Sequence, residues 1–418
     1  MPELTLDPVD YQNPVDYQPD AKGPLEGVRV LDLGRLAAGG HCGLVLADLG
    51  ADVVKVERPK VGDEMRGMGR AALSPYWVVY NRNKRSLALD LKSEEGRALL
   101  LEILPQFDVL AENFRPGTLE SLGIGPDALL ARHPGLVVTR LSGWGQTGPY
   151  ASRPGFGTLA EAVSGYMLRN GYADRPPVPA PTALADMVAG LYGACATVAA
   201  VLHARGGGPG QVVDVSLFEP ITSIMGPDAL LDQLGRLPVR GEGTRASSVK
   251  GIFECADGLW IALSAGTDSI VQRVFEALGM GDFADDRRFA TYDDRLEHRE
   301  EINAIIGAWV RQHSRDEALA HFHRHGVTAG PLYAVADARR DPHFQARKVF
   351  VDLPGRPGEP ERVAMHNIVP HMSATPSGIR RPAPLLGEDT TDVLREAGIA
   401  DERITALLTD EIIEENHA

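Results

Sequence analysis

A short apolar run, a glycine cluster, an amphipathic stretch and a second apolar run follow one another between residues 28 and 57, and this order restricts the fold more than any other feature. Residues 28–33 (VRVLDL) have strand character. Gly34, Gly39 and Gly40 open a helical pattern carried by Leu44, Val45, Leu46 and Leu49, and Gly50 closes it as a C-cap glycine. Residues 51–57 (ADVVKVE) are the next strand. Successive strands joined through a helix run parallel, and a parallel sheet carries helices on its faces. The pattern continues with a strand at 86–91, a helix capped by Ser93, and a strand at 108–112. The loop Asn113-Phe114-Arg115-Pro116-Gly117 follows, since a Pro-Gly step extends neither element. Further strands read at 136–141, closed by Gly143-Trp144-Gly145, and at 211–217. The expected fold class is α/β, with a Rossmann-like, doubly wound large domain.

At 418 residues the chain exceeds what one core usually holds. Residues 1–24, with PVDYQ repeated at 8–12 and 14–18, read as a flexible N-terminal tail. Residues 25–224 form the N-terminal part of the large domain. The character then changes. Residues 251–264 (GIFECADGLWIALS) read as a hairpin turning at Asp257-Gly258, and helical stretches follow at 271–278, 299–312 and 316–325. Residues 225–335 are therefore expected to be a small α+β domain. Residues 336–418 read as a return segment that completes the large domain and ends in acidic helix over 390–415.

A formal net charge of −15 argues against nucleic acid and against an anionic membrane surface. Cys42, Cys195 and Cys255 are widely spaced and odd in number, which fits a reducing cytoplasm and neither disulfides nor thiolate zinc. The N-terminus lacks a basic and an apolar region, so no signal peptide is expected. The apolar segment 187–204 carries glycines and His203 between strand-like neighbours and reads as a core helix, not a membrane span.

Several constellations point to chemistry and have plainer readings. Glu57 ends the second strand where a ribose-binding acid stands in dinucleotide folds, but the glycines read G34-x4-G39-G40 and not GxGxxG, so no nicotinamide cofactor is expected. The loop at 206–210 (GGGPG) lacks the Lys-Ser of a phosphate cradle and reads as a linker. His321, His323 and His325 have no HExxH spacing and read as a solvated helix end, leaving no metal site. Cys42 reads as a small buried residue. Asp186 stands just ahead of a long apolar helix. Residue chemistry alone leaves two readings open, a helix cap or a carboxylate nucleophile facing a cleft at the sheet's edge.

The stretches LEGVRVLDLGR, LADLGADVVKVERP, GDEMR, NRNKRSLALDLKSEEGR, DVLAENFRPGTLESLGIG, LSGWGQTGPY, AEAVSGYMLRNG, LADMVAG, GPGQVVDVSLFE and PAPLLGEDTTDVL occur in that order. Together they resemble the class III CoA-transferase family, which includes formyl-CoA and carnitine CoA-transferases, from about residue 25 to 398. The resemblance implies an enzyme that moves CoA from an acyl-CoA to a small carboxylic acid. Asp186 would be the nucleophile, passing through an aspartyl anhydride and an aspartyl-CoA thioester without metal or redox cofactor. It assigns CoA-phosphate cations to Arg58, Lys92 and Arg115, and the CoA site to Leu89, Asn113, Phe114, Pro154, Gly155, Phe156 and Gly157. Ala37 stands near the nucleophile where formyl-CoA transferase has glutamine, and that enzyme's polyglycine lid is missing between Arg245 and Gly251. Both departures point away from an oxalate–formate pair, and SGYMLRNG with PTALADMVAG looks closer to the carnitine enzyme. The superfamily also holds acyl-CoA racemases, whose catalytic histidine is replaced here by Phe156. A racemase or a non-catalytic CoA-binding protein are the alternatives. The family implies a homodimer of interlocked chains.

Overall fold

The computed structural model describes residues 13–69, 74–241 and 247–416. The first PVDYQ copy and Arg245 lie outside the described residues. The chain divides into two compact units. One comprises Met1–Asn170, Pro177–Pro227 and Gln345–Ala418, and the other Gly171–Pro176 and Asp228–Phe344. The second unit thus starts and ends slightly beyond the 225–335 read from the sequence.

The strands of the first unit begin with β1 (Arg29–Asp32), β2 (Asp52–Glu57), β3 (Lys84–Leu89), β4 (Val109–Glu112), β5 (Val137–Ser142) and β6 (Gln211–Ser216). Its helices include α1 (Leu36–Asp48), α2 (Pro75–Tyr80), α3 (Glu94–Ile103), α4 (Thr118–Ser121), α5 (Pro126–Arg132), α6 (Gly157–Val163), α7 (Tyr166–Arg169), α8 (Leu184–Arg205) and α9 (Phe218–Ile224). In the second unit β7 (Val249–Glu254), β8 (Trp260–Ala265) and β9 (Ala329–Pro331) make an antiparallel sheet. The hairpin β10 (Phe350–Pro354) and β11 (Arg362–His366) and the short β12 (Ile413–Glu414) belong to the first unit again.

Six strands of the large sheet run parallel in the order β3-β2-β1-β4-β5-β6, and β12 adds an antiparallel edge beside β3. Successive side chains alternate between two cores. Val30, Val109, Ala111 and Val137 face the core under α1 and α8, while Leu31, Leu110 and Val138 face the one that takes Leu99, Leu100 and Leu394. The C-terminal region departs from a continuous helix. Gly398, at φ +87°, separates helices Thr390–Glu396 and Asp401–Thr409 before β12 pairs Ile413 with Leu89. Residues 13–18, expected to be loose, are docked. Val15 N donates to Asp352 O at 3.1 Å and Tyr17 Oη to Pro354 O at 3.0 Å, and both side chains pack on Val351 and Leu353.

The glycines of the first crossover serve packing. A Cβ on Gly39 would fall 2.6 Å from Gly34 Cα, and one on Gly43 would fall 2.3 Å from Asp32 Oδ2. The buried Lys84 donates to Asp32 Oδ2 and to Gly40 O, both at 2.9 Å, and the buried Lys55 donates to Gly34 O and pairs with Asp63. These two ammonium groups fill the turn where a dinucleotide fold leaves room for a pyrophosphate. Glu57 is buried on Arg66 (2.7 Å) and Ser86 (2.8 Å), not set to meet a ribose.

The helix α8 is long and apolar enough to cross a membrane, but it packs into the first unit's core along α1. Its approach is closest at Gly190, where a Cβ would meet Ala38 O at 2.9 Å and Cys42 N at 3.1 Å. Gly190→Val should therefore destabilise the protein by about 2 kcal/mol or more, since an overpacked helix contact has only backbone to push against. Urea denaturation would measure it, and an unchanged midpoint would mean that the two helices do not need this approach.

Candidate active site

In open α/β sheets ligands bind outside the carboxyl ends of the strands, where the strand order reverses. Here that point lies between β1 and β4. The loops leaving the two strands are tied together there. Asn113 accepts from Arg35 N (2.6 Å) with Oδ1 and donates to Arg35 O (2.7 Å) with Nδ2. Leu36 takes φ +56°, an unfavourable conformation for leucine, with its N–H on Asp63 Oδ1 at 3.3 Å. The buried Glu112 shapes the second loop by accepting from Phe114 N and Arg140 Nε, each at 2.6 Å.

The segment after β5 folds back through a glycine contact. A Cβ on Gly143 would fall 2.7 Å from Gly155 Cα, and Trp144 Nε1 donates to Pro154 O at 3.1 Å. This turn delivers Gly157 to the start of α6, against the carboxylate of Asp186. A Cβ at 157 would lie 1.9 Å from Asp186 Oδ2, so any larger residue there would displace the carboxylate. Asp186 is not ahead of its helix. Ala183 is the N-cap residue, and Asp186 is the third residue of α8. The first-turn donor is satisfied by Glu161, whose Oε1 accepts from Ala185 N at 3.2 Å. Asp186, inside the first turn and not at the N-cap, lines an open cavity of about 1300 Å³.

Burial first, and repulsion from the Glu161 carboxylate second, raise the pKa of Asp186 to about 6, with the residue's own backbone N–H offsetting part of the rise. At neutral pH the group is still mostly ionised. A partly desolvated carboxylate with raised basicity is a competent nucleophile.

Ala37, Asn113, Phe114, Arg115, Gly155, Phe156 and Gly157 line the same cavity as Asp186. Four of the expected residues do not. Leu89 is 1% exposed, so its side chain belongs to the core. Pro154 holds Trp144 through its carbonyl. Arg58 and Lys92 are exposed and follow β2 and β3, one and two strands aside from β1 on the same sheet edge. Asn113 lines the cavity, but its amide is engaged by Arg35. Arg115 is exposed on its Pro-Gly turn and has no ion-pair partner among the described residues. Sequence reasoning missed Arg35, Arg153 and Glu161, all of which line the cavity. Arg35 pairs with Glu64 at 3.0 Å, and Arg153 stacks on Tyr150 at 3.6 Å. The i, i+4 spacing of Gly157 and Glu161 on one helix was the available signal.

No histidine lines the cavity among the described residues, and Phe156, 63% exposed, stands at the racemase histidine's position. His41 contacts Met187 O through Nδ1 at 3.0 Å, and burial lowers its pKa. Cys42 is buried, its thiol pushed up to about 12, and is unreactive. In the second unit His321 and His323 each have one ring nitrogen on a backbone carbonyl (2.8 and 2.9 Å), and no metal-holding cluster occurs among the described residues.

The model of CoA-transferase family III matches residues 25–390. Succinyl-CoA--D-citramalate CoA-transferase of Chloroflexus aurantiacus is 37% identical over 398 residues, covering 93% of this chain and 98% of its own. Succinate--glutarate CoA-transferase of Agrobacterium fabrum is 35% identical, covering 90% and 96%. A crystal structure of a CAIB/BAIF family protein from Brucella suis superimposes with a TM-score of 0.77 at 33% identity, covering 90% of this chain and all of that one. The chain belongs to CoA-transferase family III and is an enzyme of that class.

Proposed function

We propose that this enzyme transfers CoA from succinyl-CoA to a small dicarboxylic acid, with Asp186 as the covalent nucleophile. The observation that carries the reading is the partly buried carboxylate of Asp186, inside the first turn of α8 and set against Gly157 in a large cavity. The relatives named for succinate, glutarate and D-citramalate support the substrate class. An Asp186 oxygen attacks the acyl carbon, and the C–S bond breaks with its electron pair leaving on sulfur. The products are a mixed anhydride and CoA thiolate. The thiolate attacks the aspartyl carbonyl, releasing the first acid and leaving an aspartyl-CoA thioester. The acceptor acid then runs both steps in reverse. Thioester replaces thioester, so the exchange requires no metal or redox group.

Asp186→Asn tests both chemistry and environment. The variant should show no CoA transfer and no hydroxylamine-trappable adduct at 186 after incubation with succinyl-CoA. Its stability should also change in a defined way. The folded-state pKa of about 6 lies above the ordinary 3.8, so ionisation opposes folding as pH rises from 4 to 6. Asp186→Asn should therefore be more stable at pH 7–8 by about 1–3 kcal/mol, and the gain should vanish below pH 4. A trapped adduct on another residue, or residual turnover in the variant, would sink the assignment.

The free guanidinium of Arg115 on its Pro-Gly turn supports a role in holding a CoA phosphate. Arg58 and Lys92, farther along the same edge, extend a path for the nucleotide end. Arg115→Ala should raise the KM for acyl-CoA roughly tenfold with kcat nearly unchanged, as loss of one charge-assisted contact implies. A kcat effect alone would contradict this.

The enzyme is further read as a homodimer of interlocked chains. Leu191, Tyr192 and Leu202 of α8 and Ile224 of α9 are exposed, which supports an apolar surface covered by a second copy. Light scattering should give twice the 45.0 kDa chain mass, and a stable active monomer would refute it.

A further inference from the structure

Glu161 is 3% exposed, lines the cavity, and places one oxygen on Ala185 N, the residue before the nucleophile. An apolar core would not retain an acid at this position, and a neutral acceptor would satisfy the N–H equally well. The negative charge therefore calls for a separate account. The other groups around this turn do not share its effect. From α1, His41 contacts Met187 O and is disfavoured as a cation by burial. From the loop after β1, Arg35 is paired with Glu64. Arg115 and Arg153 line the cavity on the loops after β4 and β5. Among the described side chains, Glu161 is the charge that acts on Asp186.

We propose that Glu161 is a positioning residue that holds the first turn of α8 by its oxygen and drives Asp186 toward its covalent states by its charge. The inference rests on Asp186 being the nucleophile. In the resting enzyme the Glu161 carboxylate is held on the N–H of Ala185, beside the residue that carries the second carboxylate, and repulsion between the two charges raises the energy of the free aspartate. When Asp186 bonds to the acyl carbon, its charge leaves through the acyl group to the departing CoA sulfur. Anhydride and aspartyl-CoA thioester are both neutral at residue 186. Repulsion with Glu161 is then relieved, so the free carboxylate is disfavoured relative to both intermediates. The same repulsion makes Asp186 more basic, and attack by a carboxylate strengthens with its basicity.

Glu161→Gln separates the two roles, because its amide oxygen still accepts from Ala185 N while the charge is gone. Full-length wild type, Glu161→Gln and Glu161→Ala would be incubated with succinyl-CoA. The aspartyl-CoA thioester would be quantified by intact mass, and kcat/KM followed from pH 4.5 to 8. Relative to wild type, Glu161→Gln should hold about 3–10-fold less thioester at equilibrium, and its acid limb should move about 0.5–1 pH unit lower. Glu161→Ala should show the same shifts together with a lower kcat, because the turn is no longer anchored. If Glu161→Gln matches wild type in both readouts, the inference fails while the Asp186 assignment stands. If Glu161→Gln forms no adduct at all, Glu161 is itself a participant in the chemistry and the positioning role is wrong. If wild type forms no adduct on Asp186, the nucleophile assignment fails and this inference with it.

Discussion

The site depends on how closely one helix can approach another. A helix carrying ordinary side chains at 190 and 193 would stand away from α1, and the first turn of α8 would move with it. Glycine at both positions lets α8 settle against Ala38, Cys42 and Leu141. That seating places residue 186 above the gap between β1 and β4, the one place on a doubly wound sheet where a crevice opens. The loops flanking the crevice are held by side chains that do not themselves need to touch a ligand, Asn113 across the gap and Glu112 beneath it.

Charge is distributed in the site with a consistent logic. Buried cations are neutralised within the frame, with Lys84 on Asp32 and Lys55 on Asp63. Arginines that could meet phosphate or carboxylate line the cavity, where they remain solvated until a substrate arrives. Asp186 has no cation of its own, which keeps its oxygens available and its basicity high. An ion-paired aspartate would be a weaker nucleophile and a better anchor.

The large unit could be read from the sequence because strand–helix alternation over some 190 residues leaves few other solutions, and because Gly50 and Ser93 are local signals with local causes, as the Asp257-Gly258 turn is in the second unit. What escaped was set by distance. β12 is two residues long and exists only through pairing with β3, so nothing in Ile413-Glu414 announces a strand. Glu161 looks like a solvent charge on a short helix until α8 covers it. Asp186 was ambiguous for a related reason. An acid at a helix start is ordinarily a cap, and the residue that takes the Ala185 N–H in this turn lies 25 positions upstream. Leu89, Lys92 and Arg58 were expected at the CoA site by motif position, and none of them lines the cavity that holds Asp186.

The C-terminal return has a kinetic meaning. Arg380 donates to the carbonyls of Ala47, Gly50 and Ala51 at the end of α1, and Asp389 accepts from Ser86 N on β3. The earliest elements of the sheet are thus finished by residues translated after the whole second unit. On the ribosome the nascent sheet must wait on the order of ten seconds or more with that edge unsealed, given ordinary elongation rates. Long-range closure of this kind slows folding and leaves hydrophobic strands open to wrong partners. Such an architecture ties the yield of native enzyme to the pace of synthesis and to chaperone supply, independently of how stable the finished protein is.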